Sequence, residues 1–155
     1  MKAVYLLFAT IAFILIGLFI YRPFFDLSLL MVTNKNIQLY SNRMPGQFSS
    51  NFIFAILFGF IPITYFIIQK AAKIRFFYHG IIALSLLIGT GIVFWLIRVF
   101  YIKRKLELIS SFKFQDEINT SYLINGFNYK NYLFLGFIVG ALISVLIFRF
   151  KKKTT

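Results

Sequence analysis

The chain has 155 residues, 60% of them apolar, with a mean hydropathy of +0.83 and a net charge of +13. An ordinary soluble domain is only about 45–50% apolar, so the composition excludes a water-soluble globular fold and predicts an all-helical integral membrane protein. There is no cysteine, which excludes disulfides, thiolate nucleophiles and cysteine-held metals or clusters.

The apolar segments run from one end of the chain to the other with no Pro-, Gly- or Ser-rich linker and no solenoid-length repeat, so one membrane domain over residues 1–155 is expected. The first span covers residues 3–21, close to the ~20 residues that cross a ~30 Å hydrocarbon core. It ends in Phe19, Ile20, Tyr21, Arg22 and Pro23 rather than in a small-residue cleavage site, and reads as an uncleaved helix. The second covers 52–68 and the third 76–97, joined by a short turn carrying Lys70, Lys73 and Arg75. Phe76, Phe77 and Tyr78 at one end of the third, and Trp95, Phe100 and Tyr101 at the other, read as interfacial aromatic belts. The fourth covers 132–148 and is stopped by Arg149, Lys151, Lys152 and Lys153, placed to meet anionic lipid headgroups.

With four spans, the two longer polar stretches, 22–51 and 103–131, fall on the same side. Stretches of that length usually have content of their own. In the second, Leu106, Leu108, Phe112 and Phe114 suggest interrupted alternation, and Asn125-Gly126 within 122–129 is a two-residue hairpin signal. In the first, Met31-Val32-Thr33 and Ile37 to Tyr40 flank Asn34-Lys35-Asn36, a second turn candidate. Short β-hairpins capping one end of a four-helix bundle are expected, against irregular interfacial loops as the alternative.

Eight Lys or Arg fall on each side of the membrane, so the positive-inside count is tied. Cytoplasmic N- and C-termini are preferred because the basic turn and tail are concentrated, and because Asp26, Glu107, Asp116 and Glu117 all fall on the other side. The heavy use of Phe, Ile, Lys, Asn and Tyr suggests an AT-rich genome, hence a bacterial inner membrane, with an organellar membrane as the alternative. Most of the positive charge sits at span ends, and no basic stripe with interleaved aromatics lies on a soluble element, so nucleic acid is not an expected partner.

Small residues four apart let helix backbones approach closely in lipid. Gly136, Gly140 and Ser144 make such a stripe on the fourth span, Ala55 and Gly59 on the second, and Ser85 and Gly89 on the third. They pack either the helices of this chain or another membrane subunit. Pro62 reads as a packing kink, since none of the four spans contains the Asp or Glu that a cation or proton pathway usually needs. His79, the sole histidine, has no carboxylate on its side of the membrane and reads as an interfacial group rather than a catalyst. Arg98 is expected to snorkel toward headgroups. Asn119-Thr120-Ser121 matches a short glycosylation sequon.

No Walker loop, dinucleotide fingerprint, zinc-protease helix or nucleophile elbow occurs. The layout of four spans with two larger loops on one side resembles that of tetraspan junction proteins such as the claudins. The Trp and Cys residues that mark the claudins' first loop are missing, so the resemblance implies nothing about activity. The expectation is a non-catalytic accessory subunit of a larger membrane complex, without metal or organic cofactor. A small oligomeric transporter or channel lined by Thr64, Tyr65, Ser85 and Thr90 is the second reading, and a lipid-modifying enzyme using Glu107, Asp116 or Glu117 the third.

Overall fold

The computed structural model describes residues 2–33, 47–72, 74, 77–111 and 127–150. They form four helices, α1 (Lys2–Val32), α2 (Gln47–Ala72), α3 (Phe77–Ser111) and α4 (Tyr129–Phe150), and among the described residues there is no strand. All four are long and apolar enough to cross a membrane, an architecture compatible with a transmembrane helical bundle. A segment this apolar can leave no backbone group for water to satisfy, and the helix satisfies each one internally.

Two helices are longer than their apolar runs. α1 continues past Tyr21 through Arg22, Pro23 and Asp26 to Val32, and α3 continues past Ile97 to Ser111. At 1.5 Å per residue their 31 and 35 residues span about 46 and 52 Å, well over the ~30 Å of a hydrocarbon core. Charge ends an apolar run without ending a helix. Tyr21, Ser28, Leu29 and Val32 are buried while Arg22, Asp26 and Leu30 are exposed, which is helical periodicity. On α3, Trp95, Val99, Ile102 and Leu106 are buried at the same three-to-four spacing.

That pattern corrects both hairpin expectations where they fall on described residues. Met31 and Val32 close α1, Leu106 and Leu108 belong to α3, and Tyr129 opens α4. Leu106 is 5% exposed and Leu108 58%, which is unequal burial at positions that a strand would place on one face. The remaining hairpin positions, 34–40, Phe112, Phe114 and 122–126, lie outside the described residues.

The helix ends have local causes. The Thr33 amide and hydroxyl both donate to the Leu29 carbonyl, at 2.9 and 2.7 Å, closing α1. After α2, the Ile74 amide donates to the Gln69 carbonyl at 3.1 Å, and the Ile74 side chain packs against the core. Asn128 has φ 50°, a left-handed conformation that Asn tolerates, and its carbonyl accepts the first α4 bond from Asn131 at 3.0 Å. Pro23 and Pro62 lie inside α1 and α2, and both helices run through them.

The helices pack as two antiparallel pairs, α1 on α2 and α3 on α4. α2 joins the pairs through α4, while α1 reaches α3 less extensively. The interior is aromatic. The Phe54 ring lies 5.0 Å from Phe24, 5.4 Å from Tyr21 and 5.5 Å from Phe58, and Phe24 lies 5.4 Å from Trp95. Such pairs contribute about 0.5–1.5 kcal/mol each beyond the area they bury. A polar link crosses this core, from Trp95 Nε1 to the fully buried Ser28 Oγ at 3.0 Å, with Ser28 in turn donating to the Phe24 carbonyl at 2.7 Å.

Candidate functional site

The closest helix contact is the crossing of α3 and α4. A Cβ on Gly136 would stand 2.6 Å from Gly91 Cα and 2.5 Å from the Thr90 carbonyl oxygen, and one on Gly140 2.9 Å from Leu87 Cα. Backbone therefore meets backbone. Ser144 is fully buried one turn further, with Oγ 3.5 Å from the Ala83 carbonyl. The Gly136, Gly140 and Ser144 stripe is thus covered within this chain, by Ala83, Leu87, Thr90 and Gly91. Thr90 Oγ1 sits 2.8, 3.0 and 2.9 Å from the carbonyls of Leu86, Leu87 and Gly136, so its single hydroxyl hydrogen has acceptors within reach on its own helix and on the neighbour.

Ala55 and Gly59 face α1 in the second close crossing. Ala55 Cα would be 2.9 Å from a Cβ on Gly17, and Ile14 fills the space in front of Gly59. The third small pair behaves differently. Ser85 is exposed, and a Cβ on Gly89 would meet nothing within 4 Å, so Ser85 and Gly89 pack no helix among the described residues. The packed face of α3 is the one two residues away, through Ala83, Leu87 and Gly91, a rotation of about 200°. Leu87 there hid it from a search for small residues, because Gly140 on the partner supplies the missing volume. Gly17 and Thr90 were equally inconspicuous, having no small partner four residues away in the sequence.

The proposed pathway residues do not converge. Thr64 Oγ1 donates to the Ile61 carbonyl at 2.9 Å, the Tyr65 hydroxyl accepts from Gln69 Nε2 at 3.2 Å, Ser85 faces outward and Thr90 is held in the α3–α4 crossing. His79 sits edge-on to Phe148, with ring centroids 5.4 Å apart. Glu107 is 28 residues further along the same helix, about 42 Å away. No group of three or more His, Cys, Asp or Glu comes together among the described residues. Asp116, Glu117, the 119–121 sequon and the Lys151, Lys152 and Lys153 tail lie outside them, and Arg149 is exposed on the last turn of α4.

Two separate polar contacts lie where α2 and α4 begin and α3 passes by. Arg98 does not simply snorkel. Its Nε donates to the Phe127 carbonyl at 3.0 Å, and its guanidinium carbon lies 4.6 Å from the Tyr132 ring centroid and 5.4 Å from that of Tyr101. Lys130 Nζ donates to Ser50 Oγ at 2.9 Å, tying the first turn of α4 to that of α2. Two buried polar atoms near these helix starts, the Tyr129 hydroxyl and Asn51 Oδ1, have no hydrogen-bond partner among the described residues. No protein-family model, curated protein sequence or solved structure matches the chain.

Proposed function

We propose that the chain is an integral protein of a bacterial plasma membrane, with cytoplasmic termini, and that it serves as a non-catalytic subunit docked laterally to a larger membrane assembly. The observation that carries this reading is the exposure of α1. In its most apolar 18-residue window 6% of the residues are buried, against 28–33% in the other three helices. Its N-terminal half meets α2 through Gly17 against Ala55, Ile14 against Gly59 and Phe13 against Phe58, and leaves Phe8, Leu15 and Phe19 exposed. The Gly136, Gly140 and Ser144 stripe and the Ala55 and Gly59 stripe pack the chain's own helices, so the docking surface on this reading is α1.

A photo-crosslinking residue placed at Leu15 or Phe19, followed by extraction in mild detergent, tests it. One stoichiometric protein adduct, lost when the crosslinker is moved to the buried Ala55, is the expected outcome. Adducts with lipid alone, from a monodisperse solitary species, would defeat the proposal.

A further inference from the structure

The two prolines inside helices stand in opposite surroundings. A proline has no amide hydrogen, so Pro23 leaves the Phe19 carbonyl without the bond that a residue four positions on normally supplies, and Pro62 does the same to Phe58. Its ring also crowds that carbonyl, which makes the proline the natural bending point of its helix. Pro62 is buried, Ile61 and Ile68 beside it are buried, and the Phe58 ring meets Phe13 of α1 and Phe137 of α4. Packing from both neighbours fixes the backbone there. Pro23 is exposed, and so are Phe19 and Arg22, so no helix among the described residues packs over the break.

The two sides of Pro23 are also held differently. After it, the Phe24 ring lies 5.0 Å from Phe54 and 5.4 Å from Trp95, the Trp95 indole donates to Ser28, and Leu29 and Val32 are buried. That section is joined to α2 and to α3 at once. Before it, Gly17 alone is buried between Val4 and Ile20. The contacts of Gly17, Ile14 and Phe13 are with α2, and the first turns of α1, with Val4, Leu7 and Phe8 exposed, lie beyond them.

We propose that Pro23 is a hinge, about which the membrane-spanning arm of α1, residues 4–19, pivots while the section from Phe24 to Val32 stays fixed on the bundle. A hinge is a position that absorbs a change of backbone angle between two rigid sections, and a missing backbone bond outside the packed core meets that requirement. Phe19 lies about 200° round the helix from Gly17, so the missing bond is on the side away from α2 and the arm moves toward and away from α2. The arm carries Phe8, Leu15 and Phe19, so the pivot sets the angle at which the outer face of α1 is presented. That consequence rests on the lateral docking proposed above, whereas the hinge itself does not.

The test uses the full chain alone in lipid nanodiscs, with pairs of spin labels on introduced cysteines, since the chain has none of its own. One pair, at Phe8 and Ile67, reports the arm against α2, and the other, at Leu30 and Ile97, reports the section after Pro23 against α3. All four positions are exposed. The distance distribution should be broad for the first pair and narrow for the second. Pro23→Ala restores the backbone bond and should narrow the first to the width of the second, leaving the second unchanged. A first distribution as narrow as the second with Pro23 in place, or one whose width Pro23→Ala does not reduce, would overturn the hinge. Failure to crosslink a protein partner at Leu15 or Phe19, with these distributions as expected, would defeat the docking reading and leave the hinge standing.

Discussion

Gly136 and Gly140 stand where any side chain would strike backbone on α3, whereas Gly89 on the same pair of helices faces open space. The two kinds of glycine should respond oppositely to the same change. Gly136→Ala forces α3 and α4 apart and should destabilise by about 1–3 kcal/mol, with Gly140→Leu worse than Gly140→Ala. Gly89→Ala should be neutral or stabilising by up to about 1 kcal/mol, since Ala is the better helix former. Unfolding of the purified variants in mild detergent and denaturant checks the contrast, and equal losses at Gly136 and Gly89 would be inconsistent with this packing. Thr90→Val keeps the volume and removes the hydroxyl shared with the Gly136 carbonyl, so it should cost roughly 0.6–1.7 kcal/mol, the range of interhelical hydrogen bonds in membrane proteins. Gly136 and Gly140 could be recognised from spacing alone. Their partners Thr90 and Gly91 could not, because a close approach needs only one side to be small.

At the scale of elements, hydropathy located all four helices, and two of them run well past their apolar spans. Hydropathy measures where charge begins. In α1 and α3 the charged residues Arg22, Asp26, Lys103, Arg104, Lys105 and Glu107 occupy the faces turned away from the core, and the helices continue beneath them. The buried spacing of Trp95, Val99, Ile102 and Leu106 was available in the sequence, but the nearby Leu108, Phe112 and Phe114 suggested a period of two. Cysteine substitution separates the two periods. With the chain in detergent, a cysteine at Leu108 should react with a thiol reagent much faster than one at Leu106. Comparable rates would point to a strand or an irregular segment. The Lys130–Ser50 and Arg98–Phe127 contacts were not legible beforehand, because they depend on which helix ends meet, a tertiary property that no local pattern carries.

For the molecule as a whole, the aromatic core joins the helix pairs, and a buried polar link, Trp95 to Ser28, ties α1 to the middle of α3. The account rests on four crossings of a membrane, with the C-terminal ends of α1 and α3 on one side and the α2–α3 turn on the other. The chain has no cysteine of its own, so single introduced cysteines report without background. Thr33 and Leu108 are exposed at one end of the bundle and Ala71 at the other. With an impermeant thiol reagent on intact cells, cysteines at Thr33 and Leu108 should label, and one at Ala71 should label only after the membrane is permeabilised. Labelling of Leu108 and Ala71 from the same side would contradict the crossing of α3, and with it the four-span architecture.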